Sequence, residues 1–81
     1  MFDLVLLCDE RKVYDGQVSE VYVTTCNGPT SIRKNHQPYM SKIVGQVTYA
    51  TPDGSFHVLD IADGFVYTNG LLCHVVVDIT S

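Results

Sequence analysis

The sequence predicts an all-β fold, an antiparallel sandwich or barrel built from short strands. Three observations lead there. No stretch of ten residues carries the apolar period of an amphipathic helix. Apolar and polar residues alternate with period two instead, most cleanly in Gln17–Thr25, where Val21 and Val23 share one face and Glu20, Tyr22 and Thr24 the other. Turn chemistry punctuates the chain at Asp15-Gly16, Pro52-Asp53-Gly54-Ser55 and Asn69-Gly70, in the manner of a chain of strands separated by turns at intervals of roughly eight to twelve residues.

In order, Phe2 to Cys8 reads as a strand with a fully apolar centre, Leu4-Val5-Leu6-Leu7, as expected of a strand covered on both faces. Asp9-Glu10-Arg11-Lys12 is a charged turn. Val13-Tyr14 resumes extended structure, Asp15-Gly16 turns it with Gly16 supplying positive φ, and Gln17 to Thr25 continues as a strand. Cys26 to Pro38 reads as a long polar loop. Gly28 and Pro29 break regular structure, Pro38 biases Gln37 towards extended geometry, and Ile32 anchors a run carrying Arg33, Lys34 and His36. A polar excursion of that length on a small β domain exists to touch something. Tyr39 to Ile43 restores alternation, Gly45 interrupts it, and Gln46 to Thr51 and Phe56 to Ile61 flank a hairpin turn. Phe65 to Thr68 and Leu71 to Asp78 flank Asn69-Gly70, the preferred two-residue type I′ turn.

Composition narrows the function. The 81 residues suffice for one small domain, which buries only about 60% of the surface its unfolded chain exposes and has little apolar surface left to line a deep pocket. A formal charge of −4 argues against nucleic-acid binding through the overall field. The longest apolar runs, Leu4 to Cys8 and Leu71 to Val77, fall far short of the ~18 residues of a membrane helix. Met1 leads straight into strand-like sequence with no basic leader, which suits a cytoplasmic product. Cysteines at 8, 26 and 73 are odd in number and widely spread, unlike a secreted disulfide framework, and a reducing compartment is expected.

The chemistry-bearing residues form no recognisable catalytic set. Zinc ligands come in short pairs, and none is present; Cys73 and His74 are neighbours on a strand and leave opposite faces. No serine or cysteine stands in a nucleophile motif, and Asp60 and Asp63 read as a strand end turning into solvent. The glycines are scattered one per turn and cradle no phosphate. No cofactor, metal or catalytic residue is expected. On these residues alone, a free-standing β-sandwich binding a small ligand or metal stays open as an alternative.

One resemblance runs along the whole chain. Gly28, Ile32, His36 and Pro38 resemble the Gly…Gly-Ile/Val-x-Pro-x-His-x-Pro loop of the epsilon subunit of F-type ATP synthase, with Ser31 at the second glycine and Lys34 at the first proline. Tyr14-x-Gly16-x-Val18-x-x-Val21, with Glu10 upstream, is similar to that family's aromatic-x-Gly-x-Val-x-x-Val run, and Asp9 stands where a proline is usual. Asp63-Gly64-Phe65 falls where the family has Gly-Gly and an apolar residue, and Val75-Val76-Val77-Asp78 resembles its closing strand.

The resemblance implies a sandwich of two packed sheets with about ten short strands, forming one domain over residues 1–81. It also implies a non-catalytic rotor subunit that couples the ring of c subunits to the gamma subunit, on the cytoplasmic face of a bacterial inner membrane without inserting into it. By family position, Asn27, Gly28, Pro29, Thr30, Ser31 and Ile32 would approach the c ring. Cys8, His36, Tyr39, Met40, Ser41 and Lys42 would lie towards gamma. His36 either holds its own loop or faces that partner, and the two roles are compatible. Arg33 and Lys34 are solvent-facing charge or meet acidic groups of a rotor partner, and Tyr39 and Met40 are core or interface centre. Family members usually continue into a helical hairpin, whereas this sequence stops at Ser81; inhibition and ATP binding through that hairpin are not expected of these residues.

Overall fold

The computed structural model describes residues 1–78. Seven strands form one hydrogen-bonded sheet: β1 (Phe2–Cys8), β2 (Arg11–Val18), β3 (Glu20–Thr25), β4 (Gly28–Ile32), β5 (Tyr39–Ala50), β6 (Phe56–Thr68) and β7 (Leu72–Asp78). The spatial order is β2-β1-β7-β6-β5-β3-β4. All-β is as expected, and no helix appears among the described residues. The described residues build seven strands where about ten short ones were expected, and hydrogen bonding links all seven into one continuous sheet. Neighbouring short strands fuse: Tyr39–Ile43 and Gln46–Thr51 become β5, and Phe56–Ile61 and Phe65–Thr68 become β6. The β5–β6 register shifts at Val44/Gly45, where Gly45 takes φ of 82°, so a bulge bends the pair without breaking its ladder. Nor is every pairing antiparallel, because β1 and β7 lie side by side and run parallel.

The single sheet curls until its β2 end packs over β5. β2 and β5 are separated by four strand spacings, about 19 Å in a flat sheet. Yet the Tyr14 and Tyr49 ring centroids are 4.8 Å apart, and Ser19 N–H donates to Ala50 O at 2.8 Å. Inside the curl one core gathers Leu4 and Leu6 from β1, Val21 from β3, Ile32 from β4, Ile43 and Val47 from β5, Val66 from β6 and Val75 from β7.

Turn chemistry departs from expectation in two places. Gly16 is no turn residue: it lies within β2 opposite Leu4, and a Cβ there would meet the Tyr14 hydroxyl at 3.2 Å. The β1–β2 turn falls at Asp9 and Glu10, both with positive φ (50° and 68°), the double left-handed geometry of a primed hairpin turn. Glutamate is a poor occupant of that geometry. Glu10→Gly is therefore expected to stabilise the domain by about 0.5 kcal/mol net of the added unfolded-state freedom, raising the melting temperature in a thermal scan by a few degrees. At Asn69-Gly70 only Gly70 is left-handed (φ 97°), so the turn is not type I′. Asn69 Oδ1 instead accepts from Leu71 and Leu72 N–H, each at 2.9 Å, and buried Thr68 Oγ1 accepts from Gly70 N–H at 3.1 Å.

The expected long loop is shorter than thirteen residues would make it. Gly28–Ile32 is strand β4, paired with β3 from Thr25↔Gly28 to Val21↔Ile32. Pro29 is tolerated there because β4 is an edge strand, where a missing N–H need leave no ladder bond unmade. What remains, residues 33–38, is tied down: Asn35 N–H donates to Gly70 O at 2.7 Å and His36 N–H to Arg33 O at 3.1 Å.

Candidate docking face

On the outer side of β1, β7, β6 and β5, period-two alternation combines with the strand register to stack outward side chains in rows. One row runs Val5–His74–Tyr67–Met40 and the next Leu7–Val76–Phe65–Lys42. Met40 is 74% exposed, Phe65 53%, Val76 47% and Tyr67 45%, while Val5 and Leu7 are half-buried. These side chains are adjacent across strands, so the exposure is one contiguous apolar face and not scattered single residues, the pattern that marks an interaction surface. β1 was expected to be covered on both faces. Its outer face is covered by no other strand, and only its neighbours shade Val5 and Leu7.

The segment 39–42 divides by the same alternation. Met40 and Lys42 stand on the outer face, whereas Tyr39 and Ser41 are half-buried on the other side and Tyr39 packs against the core. Cys8 is buried among the core residues, so its side chain is closed to a partner. His36 is half-buried; its Nδ1 lies 2.7 Å from Gln37 O, which places the ring proton on Nδ1, and its ring stands edge-on to Tyr39 at 5.7 Å. It holds its own loop by that bond and packs its ring against Tyr39.

Among the residues positioned towards a c ring, Asn27, Pro29 and Ser31 are exposed, Gly28 and Thr30 are half-buried, and Ile32 is fully enclosed in the core. Ile32 is a plug, not a contact. Ser31 joins a surface network in which Tyr22 Oη and Ser31 Oγ donate to Glu20 Oε2 and Arg33 Nε pairs with it at 3.3 Å. The Tyr22 hydrogen bond, with Arg33 and Ser31 adding to it, holds the Glu20 carboxyl below the usual carboxylate range. Arg33 is thus engaged within the domain.

At the end of the apolar rows Asp63 and Asp78 face each other across β6 and β7. Burial, then the Asp63 and Asp9 carboxylates, pushes the Asp78 pKa up. A carboxyl whose folded pKa is raised destabilises the fold when ionised, and the penalty disappears once it is protonated. Asp78→Asn should therefore raise the melting temperature at neutral pH. Melts over a pH series should show that gain fading as pH falls through the raised pKa.

Depressions lie at two places among the described residues. One of about 240 Å³ lies on the distal outer face, lined by Tyr22, Thr24, Pro29, Ser31, Gln46 and Thr48 among others. The other, of about 430 Å³, lies beside the docking face between Lys42, Val44, Asp63, Phe65 and Asp78. Neither is the enclosed apolar pocket with converging polar groups that a small-ligand site would need. The cysteines read simply: Cys8 and Cys73 are buried, Cys26 is exposed, and burial pushes the Cys73 thiol up to about 12. A thiol-reactive dye should label Cys26 at once and the other two only on denaturation, giving one labelled site per native chain by mass spectrometry.

Phe65, Tyr67, Val76, Val5 and Leu7 are the residues that the sequence reading did not assign to a surface. The signal was present in Leu4-Val5-Leu6-Leu7 and Val75-Val76-Val77, which are apolar at both parities and so have more apolar faces than one core can cover.

Comparison with known proteins accords with this architecture. The chain is similar to the ATP synthase epsilon chain of Ruminococcus albus, 33% identical over 66 residues, or 82% of this chain and 49% of the relative. It is also similar to the ATP synthase epsilon chain of Caldanaerobacter subterraneus, 36% identical over 66 residues, or 80% of this chain and 48% of the relative. The chain thus spans about half the length of the curated relatives it matches. Its fold is shared with a chain in the Euglena gracilis mitochondrial ATP synthase (OSCP/F1/c-ring), at a TM-score of 0.87 and 15% identity, covering 94% of this chain and 49% of that one. A chain of the Tetrahymena thermophila mitochondrial ATP synthase central stalk and c-ring gives 0.78 at 13% identity, covering 95% and 63%. Residues 1–80 match the family model for the ATP synthase Delta/Epsilon chain beta-sandwich domain, and the chain belongs to that family.

Proposed function

We propose that this domain is a rotor element of a proton-translocating F-type ATP synthase. It clamps the foot of the gamma subunit to the c ring, so that ring rotation reaches the catalytic head without slipping. The observation that carries the reading is the contiguous outward face of Val76, Phe65, Tyr67 and Met40 on a fold of this family. A coupling element needs stiffness and contact area rather than a reaction site, and a curled sheet with an unpaired apolar face supplies both. Gamma covers that face, with Met40 and Lys42 inside the contact and His36 near its border. The c ring meets Asn27, Pro29 and Ser31 at the β3–β4 turn and the edge strand. A stable contact of this kind buries at least about 1,000 Å² in total. The domain turns over no substrate of its own and works at the cytoplasmic face of the membrane.

The test is capture from mildly solubilised membranes of the source organism with the tagged domain. Gamma and c subunits should co-purify; recovery of neither contradicts the reading.

A further inference from the structure

The docking face ends in charge. Its next outward row is Val44, Asp63 and Asp78, on β5, β6 and β7. Asp9, whose N–H donates to Val77 O at 3.4 Å, brings a third carboxylate alongside. The groove of about 430 Å³ opens here, lined by the apolar Val44 and Phe65, by Gly64, and by the charged Lys42, Asp63 and Asp78. Like charges directly opposite each other on antiparallel strands oppose pairing. No ion pair offsets them among the described residues: Lys12 pairs with Asp15 at 3.0 Å and Arg33 with Glu20 at 3.3 Å, while Lys42 lines the same groove without pairing with Asp63 or Asp78. Nor is any group of three or more His, Cys, Asp or Glu among the described residues placed to hold a metal ion.

We propose that the gamma surface covering this face presents a lysine or arginine that seats in the groove, its aliphatic stem on Val44 and Phe65 and its charged head between Asp63 and Asp78. The inference rests on the docking reading above and adds the chemistry of the contact. Long basic side chains lie along apolar walls and deliver their charge at the tip, and a head group shared by two carboxylates makes strong charge-assisted bonds. The groove continues the apolar rows, so the basic residue belongs to the same partner segment that covers Phe65 and Val76. The arrangement also converts a repulsion that weakens the free domain into an attraction across the interface.

The test is titration of purified gamma subunit from the same organism into the domain, by calorimetry at low and at high salt. Asp63→Asn combined with Asp78→Asn removes both charges with little change of shape. It relieves repulsion and should melt no lower than the unaltered protein, so weaker binding cannot be laid to unfolding. The expected result is at least ~10-fold weaker binding at low salt, with most of the salt dependence gone. Binding within about twofold of the unaltered domain, with unchanged salt dependence, overturns the inference. If Phe65→Ala still weakens binding in that case, the docking reading stands without it. If gamma fails to bind the unaltered domain, the docking reading and the inference fall together.

Discussion

Gly64→Ala is expected to lower the melting temperature by roughly 15 °C, the largest effect of any single methylene in the domain. Gly64 lies in β6 opposite Val77, with φ outside the left-handed region, so conformational freedom is not its role. A Cβ there would lie 2.5 Å from Val76 O and 2.8 Å from Val77 Cγ1. The first obstacle is backbone, fixed by the β6–β7 ladder, and cannot rotate away. Either the ladder opens at this point or β7 moves off β6, and both disturb the packing of Val66, Val75 and Val77 beneath. A penalty of about 3 kcal/mol is a large part of the ~4–12 kcal/mol that stabilises a domain of this size. Gly54→Ala provides the contrast. Gly54 has φ of 88° with nothing within 4 Å of an added Cβ, so only backbone strain applies, about 1 kcal/mol. Thermal melts of the two variants separate the causes, and equal effects would refute the steric account.

Phe65→Ala should weaken gamma binding by about 30- to 100-fold while leaving the fold nearly intact. Phe65 is half-exposed at the centre of its row, between Val76 and Lys42, and removing its ring deprives the free domain only of a cross-strand contact, up to about 1 kcal/mol. An aromatic ring flanked by apolar side chains and rimmed by charge is the usual form of a residue that carries an interface. Phe56→Ala is the matched control: Phe56 is more exposed, at 65%, but lies on β6 beyond the bulge, opposite Ala50 and away from these rows. Its loss should leave binding within about twofold. Binding by titration and stability by melting together distinguish a docking residue from a buried one.

Much of this was legible in the sequence, for identifiable reasons. Val21 and Val23 point inward and Tyr22 and Thr24 outward because the pleat leaves no alternative once one face is buried. The hairpin at Pro52–Ser55 follows from local turn chemistry, with Gly54 left-handed as its type demands. The failures share a cause, which is that they depend on which strands pair and in what register, and not on the local pattern of one segment. Gly28-Pro29 reads as a loop until β3 supplies a partner for the edge strand. Tyr39–Ile43 and Gln46–Thr51 read as two strands until β6 pairs with both across the bulge. The parallel β1–β7 contact joins segments some seventy residues apart, and no local pattern specifies its direction.

The candidate site was half legible. Alternation alone would have divided residues 39–42 into outward Met40 and Lys42 and inward Tyr39 and Ser41. Ile32, the one aliphatic side chain in a polar run, signalled burial by composition. Phe65, Tyr67 and Val76 could not be joined into a face without the register that places them side by side, and the opposition of Asp63 and Asp78 required the same register.

The central claim is that the outer face of β1, β7, β6 and β5 is covered in the assembled rotor. Hydroxyl-radical footprinting reads it directly, because methionine and aromatic side chains oxidise readily when exposed. Met40, Phe65 and Tyr67 should be oxidised in the free domain and protected when gamma is bound, while Phe56 and Tyr22 on the distal face stay reactive in both. Unchanged oxidation of Met40, Phe65 and Tyr67 in a gamma-bound sample, with protection falling on Phe56 and Tyr22 instead, would contradict the account.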